Sequence, residues 1–305
     1  MIKLASLLVT RKCNYSCSHC IGDYGPHSEG ELTLYQVKYY IDQLPEQQTE
    51  FLNITGGEPT LYEHLMETIE YADRVRKRSG FPEKITMVTN CSWAKEKDPS
   101  EYLKELKQAG LDTVDFSIDN FRTEEQNRLA REVIDAVSNK NILETFVHET
   151  KLVTPIGRGY NIPKELWIER RDGVKLVNDC PIDGWAFDLI GEKSRPTALV
   201  SPKGLYLCGC VSEVAKIGEL GEPFSVIEPR IKKIGRFVRA LAAFDPSVVA
   251  KEMNKQYGLN ISTEHDCISC RTLFDDIGYG YIQKIVGDGS FEKIVDSLMS
   301  KLPKK

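Results

Sequence analysis

Lys3-Leu4-Ala5-Ser6-Leu7-Leu8-Val9-Thr10 leads through Arg11-Lys12 into Cys13-Asn14-Tyr15-Ser16-Cys17-Ser18-His19-Cys20. The first eight residues read as a strand, so the three cysteines fall in the loop directly after it. Further β-rich runs recur at 50–55, 84–90, 113–118 and 143–149. Between them, 34–44, 61–78, 99–109 and 123–138 carry apolar residues at three-to-four spacing, the period of an amphipathic helix. Pro99 suits a first helical turn and Gly110 a helix end. This alternation predicts βαβ units and a parallel sheet, open or closed into a barrel, with functional loops at the carboxyl ends of the strands.

The rhythm breaks near residue 155, where Thr154-Pro155-Ile156-Gly157-Arg158-Gly159 is turn-rich. A hairpin is expected around Ser201-Pro202-Lys203-Gly204, and helices at 229–243, 246–257, 275–286 and 291–301. These shifts place a domain boundary within 160–178, giving domains of 1–170 and 171–305.

The chain has 305 residues, 41% hydrophobic and 28% charged, a globular composition that excludes disordered and collagen-like classes. Its formal net charge of −5 recruits neither nucleic acid nor an acidic membrane. No apolar run approaches the roughly 18 residues of a membrane span, and the first strand is too short for a signal-peptide core. A cytoplasmic protein is expected. The basic run Arg74-Val75-Arg76-Lys77-Arg78 reads as a solvated helix C-terminus.

Nine cysteines, an odd and clustered set, argue against an extracellular disulfide framework and for metal. Thiolates select zinc or iron–sulfur clusters. The first set stops at three, and three thiolates on a four-iron cubane leave one iron open to a ligand.

Cys13-x3-Cys17-x2-Cys20, followed one β/α unit later by Gly56-Gly57-Glu58-Pro59, resembles the radical S-adenosylmethionine (SAM) superfamily. Zinc modules can imitate the cysteines alone; the pairing with GGEP at a strand end is specific. The resemblance implies a partial (β/α)6 TIM-type barrel and a [4Fe–4S] cluster whose open iron chelates SAM. It implies that Gly56, Gly57, Glu58 and Pro59 hold the SAM ammonium and that His19 contacts adenine. Asn90, after Thr89, and Ser117 and Asp119, around Ile118, lie where the family contacts ribose and methionine. Gly157-Arg158-Gly159 matches in position a family segment lining SAM, a plain linker turn being the alternative reading. A packed imidazole without ligand contact is an equal reading of His19.

The remaining cysteines of the second half are Cys180, Cys208, Cys210, Cys267 and Cys270. Their layout resembles the twitch domain, the shortened relative of the SPASM domain. That likeness implies a small C-terminal α+β domain with a second [4Fe–4S] cluster on Cys180, Cys208, Cys267 and Cys270. A zinc ion on the same ligands is the alternative. The fifth thiol, Cys210, fits a hydrogen-atom donor of the kind found in the radical SAM peptidyl epimerases. Cys208 and Cys210 are separated by Gly209 rather than adjacent, which leaves open which is ligand and which donor. An inert buried thiol is the plain reading of Cys210. Cys91, next to Asn90, ranks second as donor, with a packed small hydrophobe the stronger reading.

The resemblance thus implies an epimerase (isomerase) acting on a ribosomal peptide, with a low-potential electron donor such as flavodoxin or ferredoxin. Alternatives with the same machinery are an oxidoreductase or epimerase of a sugar or aminoglycoside, and a thioether or carbon–carbon cross-linking maturase. The last is weakened by the lack of a peptide-binding domain before Cys13. From another class comes a non-enzymatic iron–sulfur carrier. Asp23, His27, Asp183, Asp188 and Glu213 are unranked candidates for polarising a substrate.

Overall fold

The computed structural model describes residues 1–138, 140, 142–151, 157–167, 197–207, 216–233, 246–271 and 273. Eight strands form one sheet: β1 (Leu4–Thr10), β2 (Phe51–Gly56), β3 (Lys84–Thr89), β4 (Thr113–Asp119), β5 (Glu144–Thr150), β6 (Thr197–Ser201), β7 (Gly204–Tyr206) and β8 (Lys216–Gly218). Their order is β5-β4-β3-β2-β1-β6-β7-β8. Strands β1 to β5 are parallel to their neighbours, and so is β6 to β1, whereas β7 and β8 are antiparallel. A parallel α/β sheet is therefore what the chain builds. The expected hairpin is present, with Ser201 paired to Gly204 across Pro202-Lys203.

Helices α1 (Leu34–Ile41), α2 (Leu44–Gln47), α3 (Leu65–Ser79), α4 (Pro99–Ala109) and α5 (Glu124–Val137) follow the strands. Later come α6 (Ile227–Lys233), α7 (Pro246–Tyr257) and α8 (Asp266–Arg271). Local chemistry sets the limits. Thr33 and Thr123 open α1 and α5 with capping boxes to Gln36 and Gln126. Asp98 caps α4, Pro99 occupies its first turn, and Gly110 ends it at φ 114°. The single helix expected over 34–44 ends at Ile41, because Pro45 has no N–H to continue the ladder. Of the four later helices expected, 246–257 forms as α7 and 229–243 overlaps α6. Those at 275–286 and 291–301 lie outside the described residues.

The core is the helix-covered face of the sheet, where Ala5, Leu7 and Val9 of β1, Leu52 and Ile54 of β2, Ile85 and Met87 of β3, and Val114 and Phe116 of β4 meet Val37, Ile69 and Leu103. The other face carries Ser6, Asn53, Thr55, Thr86, Val88, Asp115 and Ser117, an alternation set by the period of two. Burying a core Leu or Ile contributes about 1.5–3 kcal/mol, which fixes the register.

At the amino end of the strands, Arg76 departs from the solvated role expected of its basic run. Its Nη2 donates to Asp73 Oδ1 at 2.5 Å and to Gly110 O at 2.9 Å, and its Nη1 pairs with Asp112. Asp112 in turn accepts from Ile85 N at 2.8 Å. A cavity of about 410 Å³ beside this network is lined by Arg76, Asp112 and Glu144 among others. It lies at the end of the sheet opposite the cysteines, and in its wall Arg76 is paired with Asp112 and Glu144 with Lys84.

Candidate active site

The cysteine loop leaves the carboxyl end of β1. Its base is closed by Cys13 N–H donating to Gly25 O at 3.1 Å. Inside it, Cys20 N–H donates to Cys17 O at 3.2 Å and Asp23 N–H to Cys20 O at 3.3 Å. The three cysteines form no disulfide and pack with Leu8, Tyr15, Tyr24, Leu199 and Tyr206.

Gly56 and Gly57 show why the strand end is glycine. A Cβ on Gly56 would lie 2.6 Å from Thr10 O, and one on Gly57 only 2.3 Å from Lys12 O. Gly57 N–H donates to Thr10 O at 2.7 Å and Glu58 N–H to Lys12 O at 2.9 Å, so the motif is laid directly on the root of the cysteine loop. Pro59 follows in a short 3-10 turn, Pro59–Leu61. The Glu58 carboxylate is buried and ties this turn to the end of β3. Its Oε1 accepts from Thr60 N, Thr60 Oγ1 and Thr89 Oγ1, at 3.2, 2.7 and 2.8 Å, and its Oε2 from Asn90 N at 2.8 Å. Burial pushes the Glu58 carboxyl above its ordinary range, against those hydrogen bonds. Four donors are already committed to Glu58, a bracing role that the residue pattern alone did not reveal.

Asn90 reaches back to the loop, with Nδ2 donating to Asn14 Oδ1 at 3.1 Å and to Cys13 Sγ at 3.6 Å. Tyr15 N–H also points to Cys13 Sγ, at 3.5 Å, and Tyr24 N–H to Cys20 Sγ, at 3.3 Å. Donors aimed at sulfur are a means of tuning iron–sulfur potential. Burial pushes the Cys13 thiol up to about 12, and Cys17 also upward, opposed there by the Arg122 cation. A thiolate in this setting needs a cation beside it, which a metal centre supplies.

The segment after β4 closes the other side. Asp119, buried, accepts from Phe121 N at 2.9 Å, pairs with Arg122 Nε at 2.8 Å and lies 3.6 Å from His19 Nε2. Arg122 also donates to Ser117 O at 2.7 Å and stands over the Tyr15 ring. The His19 ring packs on Phe121 with centroids 5.2 Å apart. Burial lowers the His19 pKa against the pull of Asp119, so the imidazole is held neutral near pH 7. Buried polar atoms here with no hydrogen-bond partner among the described residues include His19 Nδ1 and Tyr15 Oη. Arg122 escaped the sequence reading; its signal is the three-residue step from Asp119, the spacing of a local ion pair.

Cys91, the second donor candidate, is packed away from solvent. Its side chain is 0% exposed and belongs to the hydrophobic core, with the backbone at φ 66°, so the packed-hydrophobe reading describes it. Asp23 is likewise occupied, pairing with Arg158 at 2.9 Å. His27 is exposed.

Of the second cysteine set, Cys267 and Cys270 lie one turn apart on α8, partly buried against the core. Cys267 N–H donates to His265 Nδ1 at 3.1 Å. Ile268, between them, packs against the Ile162–Trp167 cluster, as does Phe121 after β4. Cys180, Cys208 and Cys210, with Asp183, Asp188 and Glu213, lie outside the described residues. No described helix is long and apolar enough to cross a membrane.

Known proteins match in keeping with this geometry. A family model described as the radical SAM superfamily matches residues 7–163. Mycofactocin maturase MftC of Mycobacterium tuberculosis is 41% identical over 64 residues, 21% of this chain and 16% of the relative. GTP 3',8-cyclase of Hydrogenovibrio crunogenus is 33% identical over 127 residues, 40% of this chain and 36% of that enzyme. The chain thus spans well under half the length of these curated relatives. Among solved structures, BtrN in complex with AdoMet and 2-DOIA superposes with a TM-score of 0.53 at 17% identity, covering 79% of this chain and 87% of that one. Polyhistidine-tagged anSMEcpe with bound AdoMet gives 0.50 at 13% identity over 98% and 99%. These likenesses show the fold.

Proposed function

This chain belongs to the radical SAM superfamily, and from that premise we propose that it epimerises one residue of a ribosomal peptide, using two [4Fe–4S] clusters. The observation that carries the reading is the three-thiol loop after β1, braced by Gly56–Pro59 and Asn90, together with one thiol too many for a second four-ligand set. When reduced, the first cluster with SAM bound supplies a 5′-deoxyadenosyl radical that removes a hydrogen atom from an unactivated carbon. The chain's own residues do the rest.

Cys13, Cys17 and Cys20 would hold the first cluster through their three thiolates. His19 Nδ1 and Tyr15 Oη are polar atoms awaiting a ligand, and Asp119 and Ser117 border the same space. Cys180, Cys208, Cys267 and Cys270 would hold the second cluster. The Cys210 thiol gives its hydrogen atom to the opposite face of the substrate carbon, inverting it from L to D. The resulting Cys210 thiyl takes one electron and one proton to return to the thiol. Each turnover therefore consumes one SAM and two electrons, one for SAM cleavage and one for the thiyl, both from a low-potential donor of the flavodoxin or ferredoxin type.

Incubation with candidate peptides in deuterated water tests this. A D-residue carrying a single deuterium at Cα, with 5′-deoxyadenosine formed in equal amount, is the expected result. Loss of two hydrogens from the substrate would replace epimerisation with oxidation or cross-linking. Cys210→Ala is expected to keep forming 5′-deoxyadenosine and to lose the epimerised product.

A further inference from the structure

Arg158 follows β5, 134 residues beyond Tyr24 of the cysteine loop, yet this one residue seizes that loop at four points. Its Nε donates to Cys17 O at 2.7 Å, Nη2 to Tyr24 O at 2.5 Å and Nη1 to Asp23 Oδ1 at 2.9 Å. Its backbone N–H donates to Cys20 O at 3.0 Å. The preceding Gly157 sits at φ 58°, and a Cβ there would be 2.2 Å from Ile21 O, so the whole turn is pressed against the loop.

These contacts fall on the turn that spaces the thiols. Cys17 O, the acceptor for Cys20 N–H, is also the acceptor for Arg158 Nε. Cys20 O takes both Asp23 N–H and Arg158 N–H. Asp23 stands at φ 54°, unusual for a residue with a side chain, and the guanidinium pairs with its carboxylate. Between the hydrogen bond from Cys13 to Gly25 and this latch, the loop is an excursion from the sheet. Ordering each free residue of it carries a cost in backbone entropy.

We propose that Arg158 is a positioning residue that sets the cysteine loop before iron arrives, so that the thiols of Cys17 and Cys20 meet a cluster as one preformed ligand. The inference rests on the cluster reading for its purpose, though the latch itself does not. Only a planar fork serves: a lysine retains the charge opposite Asp23 but cannot reach Cys17 O and Tyr24 O together. The latch also makes cluster uptake wait for the chain to complete β5 and its following turn.

Hydrogen–deuterium exchange of the cluster-free full chain, as wild type, Arg158→Ala and Arg158→Lys, tests this. Amides of 17–24 are expected to exchange at least tenfold faster in Arg158→Ala relative to those of β1 and β2, with Arg158→Lys in between. After anaerobic loading with iron and sulfide, a chelator should strip iron several-fold faster from Arg158→Ala. The electron paramagnetic resonance spectrum of its reduced cluster should broaden, a change that a general loss of stability would not produce. Loop exchange equal to wild type in both variants overturns the proposal. If Arg158→Ala loosens the entire sheet, the loop-to-strand ratio in Arg158→Lys decides, and an unchanged ratio there also overturns it. A wild-type chain that binds no iron, with the loop still loosened by Arg158→Ala, would remove the cluster reading and leave the latch.

Discussion

The two ends of the parallel strands carry polar networks of similar size that end differently. At the amino end, the donors of Arg76 are spent on Asp73, Asp112 and Gly110 O, and Asp112 also closes onto β3. At the carboxyl end, Glu58 holds Asn90 and Asp119 pairs with Arg122, yet His19 Nδ1 and Tyr15 Oη are left over among the described residues. A network that consumes itself stabilises a fold; one that stops short by a few buried atoms has room for a ligand.

The largest expected effect falls on the carboxyl end. Cys17→Ala should abolish 5′-deoxyadenosine formation and remove the first cluster, seen as a matching drop in bound iron. Persistent SAM cleavage would erase the distinction between the ends. Next, Arg76→Met should lower unfolding free energy by about 1–2 kcal/mol in urea titration, because it takes the cation from Asp112 and leaves Asp73 with Lys77 alone. That figure is discounted for a side chain one-fifth exposed. Iron content per folded chain should stay unchanged, and a parallel loss would mean that the two networks are coupled.

A smaller effect sharpens the contrast within the carboxyl end. His19→Phe should weaken SAM binding about tenfold, the ~1.4 kcal/mol of one good hydrogen bond, with little change in melting temperature. Unchanged affinity with lower stability would make His19 a packing residue. The smallest belongs to neither end. Glu222 accepts from Arg230 through both oxygens at 2.6 Å and from Glu219 N–H at 2.7 Å, which lowers its pKa to about 2. A carboxylate with a depressed folded pKa adds stability above its ordinary pKa and loses it as the pH falls toward about 2. Glu222→Gln should therefore cost under about 1 kcal/mol at pH 7 and flatten the acid limb of stability against pH.

The regular elements were legible because their signals are local. Strand alternation, the caps at Thr33, Asp98 and Thr123, and Gly110 can each be read within a few residues. So could the three cysteines and GGEP. What the pattern hid is long-range. Glu58 reads as a charge for a ligand until Thr89 and Asn90 are found around it, 31 and 32 residues away. Cys91 follows a strand end and so suggests a cavity, but its left-handed backbone directs the side chain into the core. Nor does any local signal show that β6, far along the chain, lies against β1.

That last pairing has a consequence for how such chains can vary. β1 is hydrogen-bonded on one edge to β2 and on the other to β6, and it ends in the cysteine loop. Deleting a single residue from its middle would turn Leu7 and Val9 outward on both ladders at once and draw Cys13 back by about 3.3 Å. Insertions and deletions among relatives should therefore collect in the turns and spare this segment, where length itself is under constraint.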